Sequence, residues 1–194
     1  MPGTESLRDG DEHSPARLAV RVPIHIRLYQ PKDLEFVRTL FVAINRQLAP
    51  SHMRTQFDVY VRQALRDEID RIPDYYAARA GSFWIAELGD GSRGVGMYGL
   101  EAYDDSSLEI RRMYVDPAFR RQGIARRLLA HAEQIGRAAQ YHRLILSTSE
   151  IQKAAFALYQ NVGFSLTSTE TADAMSLKAV GGGLRRYHME KLLR

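Results

Sequence analysis

The chain has 194 residues, a length that corresponds to one folded domain with at most a short extension. Hydrophobic residues make up 45% and charged residues 26% of it, a globular composition that argues against wholesale disorder. The sequence contains no cysteine, which excludes disulfide scaffolds, thiolate metal sites and acyl-cysteine chemistry, and its formal net charge is only +4.

The N-terminal segment, residues 1–20, is rich in Gly, Asp, Glu, Ser and Pro and shows no apolar periodicity. We therefore predict a flexible arm there. Acidic residues stand where a signal peptide needs an apolar core, and no stretch approaches the ~20 apolar residues that span a bilayer. These features predict a cytoplasmic protein without a membrane partner. The folded domain is expected over residues 23–192.

The first half of that domain shows both strand and helix periods. Ile24, Ile26 and Leu28 alternate with polar residues and predict a strand. Apolar residues at helical spacing then predict one helix up to Leu48 and a second over 57–71, which Pro73 closes. Turn residues separate three further predicted strands, over 82–88, 94–100 and 108–115.

The second half begins with a long amphipathic helix predicted over 122–139, followed by a strand over 143–148. Ser149 and Gln152 have the spacing of a capping box and predict the start of another helix, which Gly163 ends. A strand from Phe164, a polar loop over 167–183 and a last strand over 184–192 complete the chain. This order predicts an α+β, α/β-like fold, with a mixed sheet of six to seven strands and helices on both faces.

The positive charge is concentrated in one stretch. Residues 111–127 carry six arginines against the single acid Asp116, so this stretch holds +5 and the rest of the chain sums to −1. A nucleic-acid-binding protein usually spreads basic residues over a face with interleaved aromatics. One short basic stretch on a near-neutral body favours a compact anionic ligand instead, and no nucleic-acid partner is expected.

The same stretch places a glycine at the start of a helix. The first N–H groups of a helix are unpaired, and together with the helix dipole they bind anions. Gly123 lets the backbone approach a ligand, and Arg120, Arg121 and Arg126 add charge around it. The residues thus favour a pyrophosphate cradle. It is neither a Walker A loop nor a dinucleotide fingerprint, and a solvated basic helix start is the alternative.

Two motifs here resemble a known family. The segment Arg120-Arg121-Gln122-Gly123-Ile124-Ala125 resembles the Q/R-x-x-G-x-G/A acetyl-CoA signature of the GNAT superfamily of N-acetyltransferases, and the strand end at 113–117 is similar to that family's pattern. Residues 155–164 resemble its A-x-x-L-Y-x-x-x-G-F helix and turn. Together the motifs cover roughly residues 108–165.

The resemblance implies a splay between the strands at 108–115 and 143–148, into which the pantetheine arm of acetyl-CoA enters like an added strand. It implies that backbone amides at the end of the first strand contact the pantetheine and that the helix start holds the pyrophosphate. The implied cofactor-binding residues are Met113, Tyr114, Val115, Arg120, Arg121, Gln122, Gly123, Ile124, Ala125 and Arg126.

Glu109 and Tyr159 are the predicted catalytic residues. Glu109 has the spacing at which some family members place a general base, and Tyr159 matches the family tyrosine that serves as a general acid toward the thiol. Two alternatives stay open: Glu109 pairs with Arg111 on its own strand, and Tyr159 is a core aromatic. Arg111 and Arg112 are interpreted as solvated strand residues, only one of which can face the cofactor. A cofactor contact from Gln152 is in doubt, because many family members have Asn there.

The predicted function is therefore acetyl transfer from acetyl-CoA to a primary amine, on a small molecule or a protein. The alternative is a catalytically silent acyl-CoA-binding sensor or interaction module. The six histidines show no metal-ligand spacing, so no metal is expected. Residues 31–72 and 167–183 would determine which acceptor binds, but they contain no motif that identifies it. The resemblance leaves a homodimer open.

Overall fold

A computed structural model describes residues 23–193, and the arm predicted over residues 1–20 lies outside them. Within that range the strands are β1 Ile24–Leu28, β2 Ser82–Leu88, β3 Gly94–Asp104, β4 Ser107–Val115, β5 Arg143–Ser149, β6 Ser165–Ala172 and β7 Leu184–Leu192. The α-helices are α1 Leu34–Leu48, α2 Arg54–Asp67, α3 Ile72–Ala77, α4 Ile124–Ala138 and α5 Lys153–Asn161. Short 3₁₀ turns lie before α1, α2, α3 and α4.

The strands form one sheet in the order β1-β2-β3-β4-β5-β7-β6. β4 and β5 pair in parallel, and the other neighbouring pairs are antiparallel. α4 and α5 pack on one face, where Leu128 and Ala132 are buried. α1, α2 and α3 cover the other face around Phe41, Tyr60 and Ile72. The prediction of a mixed sheet with helices on both faces is confirmed.

The second predicted helix is wrong in its bounds. Instead of one helix over 57–71 closed by Pro73, the chain forms α2, a 3₁₀ turn over Ile69–Arg71 and then α3, which has Pro73 in its first turn. Proline lacks an N–H and its φ suits a helix, so it fits a first turn, where the N–H has no intrahelical acceptor in any case. The proline therefore begins a helix rather than ending one.

Two predictions near the last strands also need correction. The polar loop expected from Thr167 is strand as far as Ala172, because β6 is an edge strand held by its ladder with β7 and exposed on both faces. Such a strand shows no apolar alternation in sequence. The capping box is only half formed. The Gln152 side chain accepts from the Ser149 N–H at 3.1 Å, but the Ser149 hydroxyl is buried without a hydrogen-bond partner among the described residues, and Gln152 is itself the N-cap residue of α5.

β4 contains a bulge at Arg112. Its φ is +51°, and the β3–β4 register passes from the pair Gly99–Arg111 directly to the pair Met97–Tyr114. Tyr98 is therefore opposite two residues of β4, and the regular alternation of side chains is broken. As a result, both Arg111 and Arg112 turn to the same buried carboxylate, contrary to the prediction that they are solvated and face opposite sides.

That carboxylate belongs to Glu68, which follows α2 and is fully buried. It accepts a hydrogen bond of 2.7 Å from Arg111, two of 2.6 and 3.0 Å from Arg112, and one of 3.0 Å from the Tyr76 hydroxyl. Burial alone would raise the pKa of Glu68, but the two guanidinium groups outweigh it and hold this pKa below its ordinary value. The bulge is thus fixed by a buried ion network.

Glu68→Gln would leave the buried Arg112 guanidinium without its counter-charge and Arg111 with Glu101 alone, so we expect the free energy of unfolding to fall by about 3–5 kcal/mol. Asp67→Asn is the matched control, because it also removes a carboxylate paired with an arginine, Arg66, but at the surface. Urea unfolding of both variants checks the prediction. A loss for Glu68→Gln no larger than that for Asp67→Asn would contradict it.

Candidate functional site

The parallel pairing of β4 and β5 stops halfway along the two strands. It runs from Ser107–Arg143 to Ile110–Leu146, whereas β4 continues to Val115 and β5 to Ser149. Beyond Ile110, β4 pairs with β3 alone among the described strands. The predicted splay is therefore present, and it leaves one side of the end of β4 open for an added strand-like ligand.

A groove of about 880 Å³ lies at the open end of the splay. All ten residues predicted to bind the cofactor line it, together with Tyr159, so the structure brings these residues to one place. Residues that were not predicted to bind the cofactor also line it, namely Ile44, Leu48, Phe119, Ile151, Lys153, Ala154, Ala155 and Leu158. Of these, Lys153 could have been suspected, since it is a cation at the start of the second motif's helix.

The start of α4 is an uncapped helix N-terminus. Its N-cap residue, Gly123, has φ +80° and offers no side-chain cap, and the first backbone bond of the helix runs from the Arg127 N–H to the Gly123 carbonyl at 3.1 Å. The N–H groups before Arg127 therefore have no intrahelical acceptor. A Cβ built on Gly123 meets no atom of the described residues within 4 Å, so the approach to these groups is open.

Three exposed arginines surround this helix start. Arg120 donates a hydrogen bond of 3.3 Å to the Gln47 amide, and none of Arg120, Arg121 and Arg126 pairs with a carboxylate within residues 23–193. Arg127 differs from them, because its guanidinium donates to the Ile24 carbonyl and ties α4 to β1. Uncompensated positive charge next to free N–H groups is the arrangement that binds a phosphate anion.

Tyr159, on α5, lies between this groove and a second cavity of about 110 Å³. Its side chain is buried, with its ring 5.9 Å from that of Phe164. Burial, together with the nearby phenol of Tyr114, raises the pKa of Tyr159 above its ordinary value of about 10. The phenol is therefore protonated at neutral pH.

Glu109 lies on the paired part of β4 and lines the 110 Å³ cavity with Met113, Tyr114 and Tyr159. Its side chain is 8% exposed. Its carboxylate contacts the Lys178 ammonium, whereas Arg111 pairs with Glu68 and Glu101, so the alternative of a Glu109–Arg111 pair is wrong. The structure thus places the two predicted catalytic residues around one cavity.

Gln152 touches all three spaces described for this site. Its side-chain oxygen accepts hydrogen bonds of 3.1 Å from the Thr148 hydroxyl and from the Ser149 N–H. That oxygen is therefore committed to the end of β5, which agrees with the doubt about a cofactor contact from this residue.

A third space, of about 80 Å³, adjoins these two and contains residues that the sequence analysis missed. Arg186, on β7, is buried there and donates to the Glu170 carboxylate at 2.8 Å and to the Ser147 hydroxyl. Asn45, Phe57, Tyr60, Ala172, Lys178, Ala179 and Val180 line it from the regions expected to meet the acceptor. Arg186 stands in the last strand, outside those regions, so nothing in its sequence context marked it.

Within residues 23–193 no three side chains of His, Asp or Glu are grouped so that they could hold a metal ion. No helix in the same range is both long enough and apolar enough to cross a bilayer.

Comparison with known proteins identifies the family of this chain. The family model for the acetyltransferase (GNAT) family matches residues 46–164. Human N-acetyltransferase 8 is 39% identical over 114 residues, which are 56% of this chain and 49% of that protein. Rat N-acetylaspartate synthetase is 36% identical over 107 residues, which are 54% and 35% of the two chains. This chain therefore spans half or less of the length of these relatives.

A solved structure agrees in fold. Spermidine N-acetyltransferase from Vibrio cholerae, in complex with CoA and spermine, aligns with a TM-score of 0.63 at 18% identity, over 88% of this chain and 95% of that one. The family match covers more than half of the chain, and the chain belongs to the GNAT acetyltransferase family.

Gly123→Val tests the helix start. A β-branched side chain at φ +80° fills the open space before the free N–H groups, so we expect the affinity for CoA to fall by at least about tenfold. Gly91→Val is the matched control, because Gly91 also has a left-handed φ, +71°, but lies in the β2–β3 turn. Isothermal calorimetry on folded variants measures both. Unchanged CoA binding by Gly123→Val would contradict the assignment.

Proposed function

We propose that this chain is an N-acetyltransferase that moves an acetyl group from acetyl-CoA to a primary amine by direct attack. The observation that carries the proposal is the splay of β4 and β5, which opens beside the uncapped start of α4 and leads to Glu109 and Tyr159. A silent acyl-CoA-binding module would need the groove but not the two catalytic side chains around the adjoining cavity.

The residues of the groove fit acetyl-CoA. The N–H groups at the start of α4, with Arg120, Arg121 and Arg126, supply the charge and the donors for a pyrophosphate. The open side of β4 at Met113 and Val115 supplies backbone groups for the amides of a pantetheine arm. The Vibrio cholerae enzyme of the same fold, whose structure is in complex with CoA, supports this assignment.

The catalytic residues divide the proton transfers between them. Glu109, directly or through water, takes a proton from the acceptor ammonium, so that neutral nitrogen attacks the thioester carbonyl. The C–N bond forms, the attacking nitrogen gives up its second proton to water, the C–S bond breaks, and the Tyr159 hydroxyl gives its proton to the departing thiolate. The phenol is kept protonated by burial, as this role requires. The products are an N-acetyl amide and CoA.

We further propose that the acceptor carries a carboxylate beside its amine. The 80 Å³ cavity is lined by the cations Lys178 and Arg186 and, among the described residues, by no carboxylate. Lys178 is balanced by Glu109, so Arg186, whose partner Glu170 is half exposed, is the group that can meet an anion. The rat relative named N-acetylaspartate synthetase supports an amino-acid acceptor.

A panel of acceptors tests the proposal through release of the CoA thiol. Amino acids are compared with amines of the same skeleton that lack the carboxylate, and with spermidine. We expect amino acids to give the highest kcat/KM, because only their carboxylate adds a charge-assisted hydrogen bond with Arg186. Preference for spermidine would overturn the acceptor class. Binding of CoA without release of its thiol in the presence of any amine would favour the catalytically silent acyl-CoA-binding module.

Tyr159→Phe removes the proposed acid but keeps the ring that packs on Phe164. We expect kcat to fall by ~10²–10⁴-fold with little change in CoA affinity, which is the usual contribution of a general acid. Tyr141→Phe, a tyrosine outside the groove and both cavities, is the control and is expected to keep its activity. Steady-state kinetics measure both variants. A near wild-type kcat for Tyr159→Phe would show that Tyr159 only packs in the core.

Glu109→Gln removes the proposed base without changing the side-chain size. Free amine is scarce at low pH, so base assistance matters most there, and the variant should lose most activity at low pH and partly recover at high pH. The pH–rate profiles of the variant and the wild type should therefore differ in shape. Parallel profiles would show that Glu109 is only an ion-pair partner of Lys178.

A further inference from the structure

We infer that Lys178 is an acetyl acceptor within the chain itself: the protein transfers an acetyl group to the Nζ of its own Lys178. This inference rests on the proposed function, because it uses the same donor and the same base. It assigns a modification site in the segment between β6 and β7, which the mechanism above does not require to react.

The amine of Lys178 is already held at the base. Its Nζ contacts Oε2 of Glu109 and lies 3.7 Å from Oε1 of Glu101. The side chain lines the 110 Å³ cavity together with Met113 and Tyr159, which are the residues assigned to the thioester and to the leaving thiolate. Lys178 therefore places a primary amine where the acceptor amine has to be.

The segment that carries Lys178 is fixed to the bulge of β4. The Leu177 carbonyl accepts hydrogen bonds from the Arg112 guanidinium at 2.9 Å and from Arg111 at 3.4 Å. The Lys178 N–H donates to the Ser176 hydroxyl at 3.1 Å, and Ala179 is buried. The backbone on both sides is thus anchored, while the lysine side chain itself is 39% exposed and can change its rotamer.

The reaction balances with groups already described. The Lys178 ammonium gives one proton to Glu109, and the neutral Nζ attacks the thioester carbonyl. The C–N bond forms, the nitrogen releases its second proton to solvent, the C–S bond breaks, and Tyr159 protonates the thiolate. Glu109 and Tyr159 then exchange protons with solvent, so the net products are acetyl-lysine, CoA and one proton. The acetylated side chain is neutral and no longer forms an ion pair with Glu109 or Glu101.

The chain makes this site easy to distinguish, because it has only four lysines, Lys32, Lys153, Lys178 and Lys191. Lys32 is an exposed residue before α1, and Lys153 lines the groove at the start of α5. Lys191 resembles Lys178 in that it pairs with a glutamate, Glu133, but it lines none of the three spaces of the site. It therefore serves as the matched control.

The test is intact-mass spectrometry of the full chain before and after incubation with acetyl-CoA, followed by peptide mapping. We expect one acetyl group per chain, on Lys178, at a first-order rate that does not change as the protein is diluted. Lys178→Arg should abolish this acetylation, Lys191→Arg should keep it, and Glu109→Gln should slow it by ~10²-fold or more.

Three outcomes would overturn the inference. The first is acetylation spread over all four lysines, or equally fast in urea-unfolded protein, which indicates uncatalysed chemistry. The second is a rate that rises with protein concentration, which indicates transfer between molecules. The third is an unmodified Lys178 in a preparation that acetylates members of the acceptor panel, and in that case the proposed function stands alone. A preparation active on neither overturns both.

Discussion

The bulge at Arg112 is the constraint on which the rest of this structure depends. A non-glycine residue at φ +51° persists only where its surroundings hold it, and here the holding group is one fully buried carboxylate, Glu68. The bulge lies just after the last pair between β4 and β5, where the two strands part. It also turns Arg111 toward Arg112, and these two arginines fix the Leu177 carbonyl. One ion network thereby joins the groove, the cavity beside it and the segment that covers it.

The same network explains how the basic stretch is used. Three of the six arginines in residues 111–127 have partners within the protein. Arg111 and Arg112 pair with buried acids, and Arg127 donates to a backbone carbonyl. The arginines at 120, 121 and 126 line the groove and pair with no carboxylate within residues 23–193. A charge count from sequence alone therefore pointed to the correct segment but overstated the charge available to a ligand, because the compensating acid is more than forty positions away.

Much of the fold could be predicted because its signals are local. The apolar period of α4, the strand alternation of β5 and Gly163 after α5 each depend on neighbours in sequence, and the groove residues followed from two short motifs. What could not be predicted depends on distant partners. Arg186 lines the site only because β7 lies beside Ser147 on β5. Pro73 is typical of a helix end in sequence, and only the structure shows that α3 begins there. The edge strand β6 has no buried face, so its residues look like a loop.

The position of β7 has a consequence for which parts of the site can be substituted independently. β7 follows β6 in the chain but lies between β6 and β5 in the sheet, so the β6–β7 ribbon joins the other strands of the sheet through the β5 ladder. The groove is built from β4, α4 and α5, before the ribbon begins. Arg186 and the loop with Lys178 belong to the ribbon. Substitutions in the β6–β7 ribbon can therefore change the side chains around the 80 Å³ cavity while the residues of the groove stay the same.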